Sequence, residues 1–244
     1  MVSRDAEHRV GLPMLSTRWL RQTFVHWAYE PEVVQRLVPP GVEVDTYEGA
    51  AWVGFTPFVM AAVRPGGLPP TRWSFPETNL RTYVRLPDGR DGLWFLSLEV
   101  TAPVLLGART FGAPYHLASL AVRAEGDTVR YAGARRGGQP AYRLAVRPGA
   151  PVAPGPLDVW LTSRWRAFTR AGPTLWQIRV QHEPWSLRSA GVTGLEQTLT
   201  AAVGLPPPPD PAVVHYSPGV HAVRIAFPRP VAAAGRGTFR RRGG

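Results

Sequence analysis

Turn-forming residues cut this chain into pieces too short for anything but strands and brief helices. Pro39-Pro40-Gly41, Glu48-Gly49, Arg64–Pro70 (RPGGLPP), Asp88-Gly89, Asp91-Gly92, Gly112-Ala113-Pro114, Glu125-Gly126-Asp127 and Pro148–Pro156 punctuate it. Glycine reaches left-handed turn conformations without steric cost, and proline cannot donate to a strand ladder, so each cluster closes the element before it. With 25 Gly and 27 Pro spread through 244 residues, the pattern predicts many short antiparallel strands. Strands in such number must close on themselves or be covered to hide their edges. The predicted fold is therefore mainly β (α+β): a closed or cone-like barrel with two or three peripheral helices.

The intervening runs fit that reading. Trp19–Tyr29 is rich in aromatic and β-branched residues, as a strand is. Glu30-Pro31-Glu32 opens a short helix through Leu37, with proline in its first turn and acid near the positive end of its dipole. Val42–Tyr47 and Ala51–Met60 form a hairpin around Glu48-Gly49. Leu80–Leu86, Leu93–Thr101, Val104–Thr110, His116–Ala124, Thr128–Arg135 and Ala141–Val146 continue as strands. Leu157–Arg170 places Leu157, Trp160, Leu161, Trp165 and Phe168 on one helical face. Leu175–His182 is a strand, and Thr193-Gly194-Leu195-Glu196 reads as the capping box of a further helix ending at Gly204. Val213–Tyr216 and Val220–Phe227 close the fold. Residues 1–13 are expected to form a flexible lead-in, 14–230 a single domain, and 231–244 a disordered Arg/Gly-rich tail.

Composition removes several kinds of chemistry. There is no cysteine, so disulfides and thiolate chemistry are excluded. All 28 basic residues are arginine, and without lysine no side-chain amine is available for a Schiff base. The net charge of +11 is dispersed, with Arg236, Arg240, Arg241 and Arg242 in the tail. It reads as a bias of composition rather than a nucleic-acid footprint. No apolar run approaches the length of a membrane helix. The charged start does not resemble a signal peptide, so a cytoplasmic protein is expected. Hydrolase, nucleotide-binding and zinc-site motifs are absent, and neither cofactor nor metal site is expected.

Three groups of residues carry candidate chemistry. In Ser74–Val84, Glu77, Asn79, Arg81 and Tyr83 recur at every second residue and would share one face of a strand. That face is either solvated or, given Trp73, Phe75 and Tyr83, a polar row in an aromatic-walled cavity. Arg109, Tyr115 and His116 flank the rigid Gly112-Ala113-Pro114 bend, where His116 would serve as acid or base and Tyr115 as an oxyanion donor, or the pair would simply cap a turn. His182 and Trp185, with Arg164, form the third group.

Taken in order, TFVHWAYEPEVVQRLVPPGVEVDTYEGAAWVGFTPF, SFPETNLRTYV, RTFGAPYHLASL, LTSRWRAF and HEPWSL resemble the uncharacterised DUF2071 (YqjF-like) family across about residues 15–225. That family is similar in turn to the acetoacetate decarboxylase-like superfamily. The resemblance implies a cone-shaped, largely antiparallel β-barrel with a central cavity. It also implies that Tyr115 and His116 stand where the decarboxylases carry two adjacent lysines after a Gly-x-Pro turn, and that Glu77 matches a cavity carboxylate. Imine-based decarboxylation is thereby excluded.

Three functional readings follow. The first is a barrel binding a small, carboxylate-bearing organic ligand through Arg81 or Arg109, with Glu77, Asn79, Tyr83, Tyr115, His116, His182 and Trp185 around it. The second is a lyase or hydrolase in which Glu77 and His116 are the acid–base pair. The third is an adaptor for nucleic acid or an acidic partner, using the arginine-rich surface and tail. An exposed sheet edge would suit a homodimer.

Overall fold

The computed structural model describes residues 2–66, 68–69, 71–210 and 212–232. The arginine-rich tail from Arg236 onward lies outside the described residues.

Among the described residues, fourteen strands form one hydrogen-bonded sheet. They are β1 (Leu15–Tyr29), β2 (Glu43–Val44), β3 (Thr46–Tyr47), β4 (Ala50–Pro65), β5 (Phe75–Arg85), β6 (Asp91–Val100) and β7 (Tyr115–Glu125), followed by β8 (Thr128–Arg135), β9 (Ala141–Pro151), β10 (Arg166–Ala171), β11 (Thr174–Gln181), β12 (Arg188–Gln197), β13 (Val213–Ile225) and β14 (Arg229–Pro230). Three short helices accompany them: α1 (Pro31–Gln35), α2 (Pro156–Thr162) and α3 (Leu199–Ala202). None of the described helices is long and apolar enough to cross a membrane.

The sheet closes twice. Following the pairings, β5-β6-β7-β8-β9-β12-β13-β1-β4 returns to β5 as a ring of nine strands. A second path, β5-β6-β10-β11-β13-β1-β4, makes a ring of seven. The two part at β6, whose first half pairs with β10 at Leu93 and Trp94 and whose second half pairs with β7 at Leu98–Val100. They rejoin at β13, where β12 takes His215 and Tyr216 while β11 takes Arg224 and Ile225. Strands β1, β4 and β5 are thus common walls with protein on both faces, which is why β4 and β5 are buried almost continuously.

Each face of the shared wall has its own core. Val25, Trp27, Val53, Phe55 and Leu80 meet Tyr131, Tyr142 and Leu144 inside the nine-strand ring. The alternate positions, Phe24, Trp52 and Tyr83, turn into the seven-strand ring and meet Leu93, Trp160, Leu161, Trp185 and Leu187. Strand geometry enforces this division, since successive side chains point to opposite faces.

Several predicted elements differ. Val104–Thr110 is not a strand but part of a 3₁₀ helix, Pro103–Phe111, with proline in its first turn and left-handed Gly112 (φ +83°) at its end. Leu157–Arg170 is not one helix: α2 ends at Thr162, and Arg166–Ala171 becomes β10 because β11 and β6 offer it partners on both edges. Thr193–Glu196 does not cap a helix but lies in β12, paired with Arg143–Ala145 of β9, which leaves α3 only four residues. The last two closing runs are a single strand, β13. In the lead-in, the Ser3 carbonyl accepts a hydrogen bond from Trp165 Nε1 at 3.0 Å, and Glu7 pairs with Arg166 at 2.6 Å.

Candidate functional site

The polar row of β5 faces the interior of the seven-strand ring. Glu77 (4% exposed), Asn79 and Tyr83 are buried, and Arg81 lies among them. Tyr83 anchors one end. Its hydroxyl lies 2.6 Å from the Leu161 carbonyl oxygen and 2.8 Å from His26 Nε2. A carbonyl only accepts, so Tyr83 donates to Leu161 and must accept from His26, which fixes the proton of His26 on Nε2. The ring fits because residue 54 is glycine: a Cβ there would lie 2.9 Å from His26 Cδ2 and Nε2. Burial and the Arg81 charge hold His26 neutral.

At the other end Glu77 meets Tyr115. Burial pushes the Glu77 carboxyl up to about 8, against the pull of the Tyr115 phenol within reach of it, so near neutral pH the group is protonated. The Tyr115 hydroxyl is held well above the ordinary phenol range by the same burial and by Glu77. Tyr115 is carried there by the bend before it. Gly112 sits so close to β10 that a Cβ would fall on the Arg170 carbonyl oxygen, and Thr169 Oγ1 donates to the Phe111 carbonyl at 2.5 Å. The exposed Arg109 donates from Nε to the Tyr115 carbonyl at 2.7 Å and so braces the strand from outside the cavity.

His116 does not join Glu77. One residue along β7, it projects to the opposite face, where Glu99 is its cross-strand neighbour and Arg135 is nearby. There Arg135 Nη2 reaches Glu99 at 2.7 Å and Ser97 Oγ at 2.7 Å, a satisfied ion-pair cluster. An acid–base pair of Glu77 and His116 is therefore not assembled, for the plain reason that consecutive strand residues face apart.

Arg81 is the unusual member of the row. It lies deep in the protein yet, like Tyr115, keeps partial accessible surface. Among the described residues no carboxylate pairs with it, and its Nε is buried without a hydrogen-bond partner. The guanidinium lies 5.8 Å from the Phe24 ring centroid. The other arginine near this ring is differently provided. Arg164, expected to ride on a helix with the site group, is packed 4.3 Å from the Trp160 ring centroid, and its Nη1 binds Asp45 at 2.9 Å and Asp91 at 2.5 Å. One buried arginine is neutralised twice; the other has no counter-ion.

The loop between β11 and β12 packs against this interior through His182 and Trp185. His182 lies 4.9 Å from Trp185, 4.8 Å from Trp165 and 5.5 Å from Trp19, ring centroid to centroid. Trp185 packs edge-on to Phe24 at 5.1 Å and is fixed by a hydrogen bond from Nε1 to the Thr162 carbonyl at 3.1 Å. Burial pushes His182 down to about 4, with the Arg81 charge acting in the same direction. Trp73, expected in the aromatic wall, is exposed instead, its ring tilted against the buried Phe75 at 4.8 Å between centroids.

Unpartnered buried polar atoms gather along this row: Glu77 Oε2, Asn79 Oδ1, Arg81 Nε and, from β1, Trp19 Nε1. Buried polar atoms are normally hydrogen-bonded, so such a group marks a place for a ligand or water. Surface grooves lie elsewhere. One of about 690 Å³ is lined by Trp27, Val192, Leu195 and Val214, and one of about 610 Å³ by Leu120, Tyr142 and Glu196; neither includes a residue of the row. Among the described residues no group of three or more His, Asp or Glu is arranged to hold a metal ion. Sequence spacing missed the roles of His26, Trp19 and the Asp45–Arg164–Asp91 bridge, because their partners lie on strands distant in the chain.

Comparison with known proteins agrees with this architecture. Residues 16–221 match the DUF2071 family, described as an uncharacterised conserved protein. The uncharacterised protein YqjF of Bacillus subtilis (strain 168) is 35% identical over 229 residues, covering 89% of this chain and 94% of the relative. An acetoacetate decarboxylase-like enzyme from Sphingomonas wittichii RW1 has a similar fold, with a TM-score of 0.63 at 16% identity over 90% of this chain and 93% of the neighbour. Acetoacetate decarboxylase from Legionella pneumophila gives 0.60 at 17% identity, covering 93% and 92%. The enduracididine biosynthesis enzyme MppR, complexed with pyruvate, gives 0.63 at 13% identity, covering 93% of each chain.

Proposed function

Since this chain belongs to the DUF2071 family and has the acetoacetate decarboxylase-like fold, we propose that it binds a small organic carboxylate inside the seven-strand ring, without Schiff-base chemistry. The observation that carries the reading is Arg81: a deep guanidinium with partial accessible surface and no carboxylate partner among the described residues. Burying such a cation is costly unless a counter-charge meets it, and a planar carboxylate meets guanidinium through two charge-assisted hydrogen bonds. The neighbour MppR, complexed with pyruvate, supplies an example of a small carboxylate held by this fold. The lysine-free sequence removes imine formation from the available mechanisms.

A second reading rests on Glu77. A carboxyl group protonated near neutral pH and set against Tyr115 has the makings of a general acid toward a bound ligand. His116 has no part in it.

Titration calorimetry with small carboxylic acids and their methyl esters tests the first reading. Acids bind, esters do not, and Arg81→Gln weakens the acids by about 10- to 100-fold, the worth of a charged hydrogen bond. Equal binding of acid and ester, or an Arg81→Gln variant that binds as well as the parent, would overturn it.

A further inference from the structure

We propose that the ligand bears a hydroxyl group beside its carboxylate, so that the cavity selects hydroxy acids over the corresponding oxo acids. This rests on the carboxylate reading above and asks what the remaining polar atoms near Arg81 require.

His182 supplies the decisive requirement. Its Nδ1 lies 2.5 Å from the Glu183 carbonyl oxygen. Because a carbonyl has no proton to give, Nδ1 carries the hydrogen and Nε2 is left as a bare lone pair. Three tryptophan rings, Trp19, Trp165 and Trp185, surround the imidazole and hold that orientation. Nε2 has no protein hydrogen-bond partner among the described residues, although, unlike His26 Nδ1, it keeps accessible surface. Arg81 is near enough for its charge to oppose protonation of the ring, so His182 offers an acceptor and nothing else.

A ligand anchored at Arg81 thus finds donors in the Tyr115 hydroxyl and the protonated Glu77 carboxyl, and an acceptor in His182 Nε2. An oxo oxygen can only accept and leaves His182 Nε2 unpaired, whereas a hydroxyl can accept and also donate to it. An ammonium also donates, but it would bring a second positive charge beside an unpaired guanidinium. Asp45 and Asp91, which could have offset it, are already bound to Arg164. A neutral donor on an anionic ligand is what remains. Sites that hydrogen-bond a hydroxyl discriminate strongly against analogues lacking it, because the site's polar atom is left unpaired.

Calorimetric titration of the full chain with matched acids decides the matter: mandelate, phenylglyoxylate and phenylacetate, then lactate, pyruvate and propionate. In at least one series the hydroxy acid binds about tenfold or more tighter than its oxo and deoxy counterparts. His182→Phe keeps a ring among the tryptophans and erases the difference in affinity between the hydroxy acid and the deoxy acid. An oxo acid that binds as well as the hydroxy acid in every series that binds, or a preference that survives His182→Phe, overturns the proposal. Should no acid of either series bind the parent chain, the carboxylate reading itself fails. Should His182→Phe not fold, the ¹⁵N resonance of His182 Nε2 in the parent chain decides: hydroxy acid shifts it as for an accepted hydrogen bond and deoxy acid does not, and equal responses overturn the proposal.

Discussion

Glu77→Gln removes the proton that the folded protein is forced to hold. In the native state burial raises the carboxyl to about 8 from an ordinary value of 4.5. Between those two values the native protein binds one more proton than the unfolded chain, so from this group the unfolding free energy falls by about 1.4 kcal/mol for each unit of rising pH. At pH 7 the accumulated cost is about 3 kcal/mol, and glutamine, nearly isosteric and never ionised, escapes it. The buried histidines act in the opposite sense. His26 and His182 are depressed, so their contribution rises with pH until the unfolded imidazoles lose their protons near 6.5. The difference between parent and variant isolates Glu77. Urea unfolding at pH 5, 6, 7 and 8 should show Glu77→Gln gaining steadily on the parent, with little difference at pH 4. Parallel stabilities across pH 5–8 would instead mean that Glu77 is ionised in the native state and compensated there.

Other substitutions separate function from structure. Arg81→Met is expected to leave stability unchanged or raise it by about 1 kcal/mol, since an unpaired buried cation is replaced by an apolar chain, while carboxylate binding is lost. Arg164→Met should instead cost about 3 kcal/mol in urea unfolding, because it strands charge on Asp45 and Asp91. Gly112→Ala combines a left-handed φ of +83° with a collision at the Arg170 carbonyl and should cost more than about 2 kcal/mol, visible as a lowered thermal midpoint. Gly54→Ala pushes His26 off Tyr83; its hydrogen-bonded imidazole ¹⁵N–H signal should shift or vanish.

Much of the site was legible in sequence because strand periodicity is a strong rule. Glu77, Asn79, Arg81 and Tyr83 share a face since they alternate, and the Gly112–Pro114 bend does deliver Tyr115 to that face. The same rule, applied to Tyr115 and His116, sends His116 away, although the pair stands together in the chain. What the sequence could not supply was partnership at a distance. Leu157–Phe168 has helical spacing, yet Arg164 is drawn to Asp45 and Asp91, and the residues after it find β6 and β11. Branching of the sheet at β6 and β13 leaves no local signal either. It is nonetheless what turns one wall of strands into two interiors and makes the β5 row a buried one.

The most direct measurement is a crystal structure of the chain grown with a carboxylic acid that binds it. The carboxylate is expected on the Arg81 guanidinium, inside the seven-strand ring, with His182 and Glu77 beside the ligand. A ligand seated in a surface groove with Arg81 untouched would contradict it.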